Sequence, residues 1–281
     1  MGITLCTALL LFSFQEIDAK TKKSRVRSKP RPKKAAVRSS GPLSAISAVV
    51  VDVRTGDILY EKNSERIQPI ASITKLMSAL VFLDTHPDLS RTISMSSESL
   101  KLPGRKRFRV GEEVMAYDLL CAALIASDNV ATKMLALSTG SERAFVEQMN
   151  LKARALGLLE THFADPTGLN PDNVSTAVDC ARLVSIVARD ERISQIMRTK
   201  DYLFKTSRGL HRIHTTNRLL KTDLDILGGK TGFIRQSGFC LTTFVRGKDQ
   251  REVAATVLGA RSNSRRFSDM QQILNKVLGK K

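Results

Sequence analysis

Strand-like sequence sits at the two ends of this chain's body and helical sequence fills the middle, an order that constrains the fold more than any other feature. Near the start, "SAISAVVVDVRTGDILYEKN" (44–63) reads as two strands around a turn at Thr55, Gly56 and Asp57. The last quarter supplies three more, "DILGGKTGFI" (225–234), "GFCLTTFVRG" (238–247) and "REVAATVLGA" (251–260), joined by short turns that include Gly247, Lys248 and Asp249. Between these ends the apolar spacing is helical. From Ile73 onward Leu76, Leu80 and Leu83 form one stripe, which Pro87 stops. "MAYDLLCAALIASDNVATKMLALSTG" (115–140) reads as two buried helices interrupted at Ser127, Asp128 and Asn129. "SERAFVEQMNLKARALGL" (141–158) and "TAVDCARLVSIVARD" (176–190) add two helices, and the amphipathic "RRFSDMQQILNKVLG" (265–279) closes the chain. Strands this far apart share a core only by pairing across the whole chain. The expected fold is therefore α+β, an antiparallel sheet of N- and C-terminal strands covered by helices, and not an alternating parallel fold. With 281 residues and 42% hydrophobic content, the chain can bury one large core or two modest ones.

The first forty residues have another character. The apolar run from Ile3 to Phe14 has the length of a signal-peptide core and is shorter than the ~20 residues of a membrane span. It predicts a signal peptide over 1–19, cleaved after Ala19, and hence export. No Lys or Arg precedes the run and Ile17 stands at −3, so an uncleaved anchor or a different start codon is the alternative. Leu5 precedes Cys6 where a lipoprotein signal takes a small residue, and no lipidation is expected. Residues 20–39 then carry ten Lys or Arg and no acid, more than half of the formal net charge of +18. Such a segment lacks the apolar surface to fold alone, and 20–42 is read as a disordered basic linker ahead of a body over 43–281. Cys121, Cys180 and Cys240 are widely spaced in apolar surroundings and read as buried free thiols. The four histidines fit no metal spacing.

The chemistry begins at "PIASITKLMSAL" (69–80), where Ser72 and Lys75 share a helix face at i and i+3. A lysine on the buried side of a helix is costly unless it has a partner or a task. A serine hydroxyl needs a base to become a nucleophile, and a lysine is that base only when its pKa falls toward neutrality. Ser-x-x-Lys is a common pattern, although here it occurs only at 72–75. Two other stretches give it weight. "ASDNVATK" places Ser127, Asp128 and Asn129 at a break between buried helices, and "GGKTGF" places Lys230, Thr231 and Gly232 on a strand whose glycines admit close backbone approach. Taken singly, the first could be a helix cap and the second a hairpin edge.

On helix, interhelix turn and strand, in that order, the three stretches resemble the active-site set of penicillin-recognising serine enzymes. "RIQPIASITKLM", "LIASDNVA", "FADPTGLNPDNVSTAVD", "TTNRLL" and "LGGKTGF" extend the resemblance over roughly residues 43–275, to the D-alanyl-D-alanine carboxypeptidase and endopeptidase family of low-molecular-weight penicillin-binding proteins. The sequence is most similar to the penicillin-binding protein 7 type of endopeptidase. The resemblance implies a β-lactamase/transpeptidase-like fold, with a helical subdomain and the active site between it and the sheet. It implies Ser72 as nucleophile, Lys75 as base and Ser127 as proton relay to the leaving amine. Asn129 would bind the substrate amide, Lys230 would supply positive potential that helps keep Lys75 neutral, and Thr231 would meet a substrate carboxylate. Beside Gly232, the backbone N–H groups of Ser72 and Phe233 would form the oxyanion hole. Asp128 is read as holding the turn. Neither metal nor cofactor is needed.

The implied partners are peptidoglycan stem peptides, β-lactam antibiotics as covalent inhibitors, and anionic cell-wall polymers through residues 20–39. A cleaved signal excludes nucleic acid. Family members with a β-rich domain and C-terminal amphipathic anchor differ from this chain, where one helix follows the last strand; a soluble or loosely attached periplasmic enzyme is expected. Two rivals stay open. "DPTGLN" (165–170) echoes the acidic loop of class A β-lactamases, and the arm suits a basic wall-binding protein without catalysis. Lys101, Arg105, Lys106, Arg107 and Arg109 are candidates for gripping stem-peptide carboxylates, or a solvated surface loop.

Overall fold

Alternation with period two explains the sheet at the centre of the body. In the strand Glu252–Ala260, Val253, Ala255 and Val257 enter one apolar core, while Ala254 and Leu258 enter a second on the opposite face. A strand buried on both faces needs helices on both faces. Numbered along the chain, the strands are β1 (Ser47–Asp52), β2 (Ile58–Lys62), β3 (Gln68–Pro69), β4 (Thr92–Ser94), β5 (Glu113–Met115), β6 (Val174–Ser175), β7 (Asp201–Thr206), β8 (Gly209–His214), β9 (Asp225–Ile234), β10 (Gly238–Arg246) and β11 (Glu252–Ala260). The helices are α1 (Lys75–Asp84), α2 (Ala116–Ile125), α3 (Asn129–Leu137), α4 (Glu142–Ala155), α5 (Ala177–Val187), α6 (Glu191–Arg198) and α7 (Asn263–Leu278). This computed structural model describes residues 42–279; the expected signal segment and the basic arm up to Gly41 lie outside the described residues.

The main sheet has five antiparallel strands in the order β2-β1-β11-β10-β9, so N- and C-terminal segments do pair directly. Against one face lies α7, burying Phe267, Met270, Ile273 and Leu274 with Val50, Leu241 and Val257. Each such side chain contributes roughly 1.5–3 kcal/mol when fully buried. On the other face α5 crosses β1, β10 and β11, and α6 packs on β9. Beyond them α1, α2, α3 and α4 form the helical part, with Leu76, Phe82, Leu119 and Leu135 in one continuous core. The cysteines Cys121, Cys180 and Cys240 are buried free thiols, as expected.

The short strands β3, β4, β5 and β6 were not legible in the sequence, and neither were α6 and the hairpin β7–β8. The helix α6 is short, with Ile193, Ile196 and Met197 as its only buried residues. The hairpin β7–β8 buries Phe204 and Ile213 on one face but leaves Leu203 and Leu210 exposed on the other, and apolar residues on both faces erase the alternation that marks a strand. The helix expected from Ile73 also starts differently: Ala71–Thr74 is a 3₁₀ turn, and α1 proper begins at Lys75.

Candidate active site

Ser72 lies in that 3₁₀ turn and Lys75 is the first residue of α1, so their side chains meet at the helix entry. Lys75 is 1% exposed, and its Nζ lies 3.1 Å from Ser72 Oγ. It also donates to Asn129 Oδ1 at 2.7 Å and to the Thr167 carbonyl at 2.5 Å. Burial lowers the Lys75 pKa to about 7, against an opposing pull from the Asp165 and Asp128 carboxylates. Burial is thus the chief cause of the lowering. The backbone here is strained: Ala71, directly before Ser72, has φ +48° and is fully buried, and Ser127 has φ +57°. Left-handed non-glycine residues are uncommon and persist where surrounding structure over-determines them.

The second motif sits at the break between α2 and α3. Asp128 caps α3, its Oδ1 accepting from Ala131 N at 3.0 Å, which is the turn-holding part read from the sequence. Asn129 is thereby the first residue of α3, with its oxygen toward Lys75 and its Nδ2 donating to the Pro103 carbonyl at 2.7 Å. The third motif lies on β9, the edge strand of the main sheet. Lys230 is 1% exposed and donates to Ser127 Oγ at 2.7 Å and to the Thr231 carbonyl at 2.9 Å. Burial first, then the Lys75 and Arg266 cations, hold its pKa well below the usual lysine range. Thr231 Oγ1 is 2.6 Å from Thr216 Oγ1. Gly232 is required by close approach: a Cβ there would lie 2.7 Å from the Ile70 carbonyl oxygen and 3.1 Å from Ser72 N. Phe233 is 53% exposed, its ring stacked on Phe239 at 4.2 Å. All eight residues singled out from the sequence are therefore gathered around Ser72, or next to it along β9.

The loop before β6 supplies what sequence reading missed. Asp165 turns its carboxylate into its own loop: Oδ1 accepts from Thr167 N, Thr167 Oγ1 and Gly168 N, and Oδ2 from Asn170 N. These four bonds turn the carboxylate toward its own backbone, where it shapes the loop. The loop presents the Thr167 carbonyl to Lys75 and the Pro166 carbonyl to Ser78 Oγ, at 2.5 Å each. Gly168 has φ +82°, and a Cβ on it would lie 2.1 Å from the Ala71 carbonyl oxygen. Among the five cations of 101–109, Arg107 is a correction: it points inward, Nε 3.1 Å from Asp128 Oδ2, with 9% of its side chain exposed. Lys106 donates to the Leu100 carbonyl at 2.6 Å, while Lys101, Arg105 and Arg109 are exposed. A carbonyl contact leaves no local sequence signal, and Arg107 meets its partner across 21 positions.

The fold and this cluster of two buried lysines on two serines define a serine hydrolase of the penicillin-recognising class. Comparison with known proteins agrees. The family model for D-alanyl-D-alanine carboxypeptidase matches residues 33–262, and the chain belongs to that family. It is 38% identical over 216 residues to a D-alanyl-D-alanine endopeptidase of Pseudomonas aeruginosa, covering 75% of this chain and 70% of that one. To a D-alanyl-D-alanine endopeptidase of Escherichia coli K12 it is 34% identical over 248 residues, 85% of this chain and 79% of the relative. The crystal structure of the Streptomyces K15 DD-transpeptidase superposes with a TM-score of 0.79 at 27% identity, over 85% of this chain and 98% of that one.

Proposed function

We infer that residues 43–281 form one serine D,D-peptidase domain that cleaves D-alanyl bonds of peptidoglycan stem peptides through an acyl-enzyme on Ser72. The observation that carries the reading is the environment of Lys75. A neutral amine has two hydrogens and one lone pair. Its hydrogens are taken by Asn129 Oδ1 and the Thr167 carbonyl, and the remaining direction faces Ser72 Oγ at 3.1 Å. With a pKa of about 7, the amine is substantially neutral at neutral pH.

In the acylation step Lys75 accepts the Ser72 proton as Oγ bonds to the carbonyl carbon. The oxyanion is held by the N–H groups of Ser72 and Phe233, a role supported by the approach of Gly232 to Ser72 N. As the C–N bond breaks, Ser127 gives its proton to the leaving amine and is reprotonated with the one Lys75 took from Ser72, so that Lys75 is neutral again, and Lys230, 2.7 Å from Ser127 Oγ, steadies that hydroxyl. Water then attacks the ester as Lys75 takes its proton, and Lys75 hands that proton to Ser72 Oγ as the acyl C–O bond breaks, which releases a D-alanyl carboxylate with Ser72 restored. Asn129 and the free edge of β9 bind the substrate backbone, and Thr231 meets a terminal carboxylate where the substrate has one. A β-lactam enters as the same carbonyl and stays as a stable ester.

The signal-like 1–19 supports export and a periplasmic location, the peptidase reading itself supports a part in shaping the cell wall, and residues 20–39 would meet anionic wall polymers. No helix among the described residues is long and apolar enough to cross a membrane. Digestion of cross-linked peptidoglycan, with products identified by mass spectrometry, tests the substrate. Separated stem peptides ending in D-alanine are expected from endopeptidase action and free D-alanine from carboxypeptidase action. Neither product appearing, or both persisting with Ser72→Ala, contradicts the reading.

A further inference from the structure

We propose that Arg107 is a positioning residue of this active site: it holds the Asp128 carboxylate, and with it the Ser127–Asn129 turn, and it balances that carboxylate's charge beside Lys75. The inference rests on the reading of Lys75 as the base. Arg107 is the one member of the basic excursion whose charged group turns inward onto a motif residue, and both partners are nearly dehydrated, at 9% and 3% side-chain exposure. A buried pair of this kind is costly to assemble and severe to break, so its presence beside a catalytic turn calls for an explanation beyond surface solvation.

The excursion is built to deliver it. The β4–β5 ladder closes the base of the loop, pairing Ile93 with Val114. Inside the loop Phe108 is buried against Phe204 and His211, with ring centroids 6.5 and 5.6 Å away. The other end is pinned by Glu112, which is 1% exposed and accepts from Arg109 N at 2.8 Å and meets His211 Nε2 at 2.7 Å. Between these anchors the loop touches the motif twice. The Pro103 carbonyl takes the Asn129 Nδ2 hydrogen, which fixes the amide so that its oxygen faces Lys75, and Arg107 takes Asp128 Oδ2. Asp128 Oδ1 remains for the cap of α3.

The groups facing Lys75 are the Asp165 carboxylate from the loop before β6, Asp128 from the α2–α3 turn, and Lys230 from β9, which Arg266 of α7 faces in turn. The two carboxylates favour the protonated amine and so oppose the base. Asp165 is engaged by four hydrogen bonds of its own loop, whereas the cation set on Asp128 is Arg107. Removing Arg107 exposes Lys75 to an unbalanced anion, so its pKa rises and less of it is neutral at a given pH. Removing the Asp128 charge does the reverse.

The test is the pH profile of penicillin acylation, from about pH 5 to about pH 9, for the full chain and for Arg107→Gln, Arg107→Lys and Asp128→Asn. Relative to wild type, the midpoint of the acid limb should rise for Arg107→Gln by on the order of half a unit or more and fall for Asp128→Asn. Arg107→Lys, which keeps the charge, should stay near wild type in midpoint. Lower melting temperatures with coincident midpoints would show a merely structural ion pair and overturn the proposal, as would shifts in the same direction for the two neutralising variants. If Arg107→Gln does not fold, Asp128→Asn decides alone: a midpoint at the wild-type value overturns the proposal. A wild type that no penicillin acylates at any pH overturns the reading of Ser72 and Lys75, and this inference with it. A wild-type limb near 7 that ignores both substitutions overturns this inference alone.

Discussion

Protonated, Lys75 has three hydrogens for the three oxygens around it; neutral, it has two, and one direction is left open for the proton of Ser72. The site therefore works on the neutral side of a pKa of about 7. Acylation by penicillin should rise with pH through that value, falling about tenfold per unit on the acid side, as measured by stopped-time labelling across buffers. Lys75→Arg keeps a cation but removes the titratable amine, since Arg stays protonated. It should lower the acylation rate by about 10³-fold or more, and a loss of only a fewfold would show that another group takes the proton. At this scale the sequence was most informative. Ser72 and Lys75 are three residues apart on one helical entry, and their encounter follows from helix geometry alone. The carbonyl of Thr167 that shares Lys75 was hidden, because every residue has a carbonyl and only the path of the chain selects one.

Among the elements, the 164–173 loop is as much a part of the site as the motifs are, and Gly168 is where it touches the nucleophile's backbone. Gly168→Ala introduces a Cβ 2.1 Å from the Ala71 carbonyl oxygen and 2.9 Å from Ser72 N, in a backbone conformation with φ +82°. The 3₁₀ turn must shift to accommodate it. An expected stability loss of about 1–3 kcal/mol should be joined by an acylation rate lower by about 10²-fold. The control is Gly140→Ala, where φ is +141° but no heavy atom lies within 4 Å; it should lose some stability and keep the rate. Chemical melts and labelling on the same samples separate the two effects. Equal rates for the two variants would remove the loop from the account. The long elements were legible by two signals: α7 by its clean helical periodicity, and β11 as a short continuous apolar run bounded by turns. The hairpin β7–β8 was not, because Leu203 and Leu210 put apolar groups on its exposed face.

For the whole molecule, pairing of N- and C-terminal strands could be argued from the order of elements, and the sheet β2-β1-β11-β10-β9 bears it out. Long-range polar contacts could not. Arg107 was read with its four basic neighbours as substrate-gripping or as part of a solvated loop, since nothing in "KLPGRKRFR" distinguishes the cation that turns inward toward Asp128. The remaining charge asymmetry lies in residues 20–39, with ten Lys or Arg and no acid. Their proposed attraction to wall polymers is screened as the Debye length falls from ~10 Å at 0.1 M salt to ~3 Å at 1 M. Deleting 20–39 should reduce sedimentation with insoluble peptidoglycan at low salt and leave penicillin acylation unchanged; undiminished sedimentation would reject the tether. The central claim, an acyl-enzyme on Ser72 formed with Lys75 as base, is tested most directly by mapping the adduct. After incubation with a penicillin, peptide mass spectrometry should find the intact drug mass on the peptide bearing Ser72, and no adduct on Ser72→Ala. An adduct on another residue, or one that survives that substitution, contradicts the account.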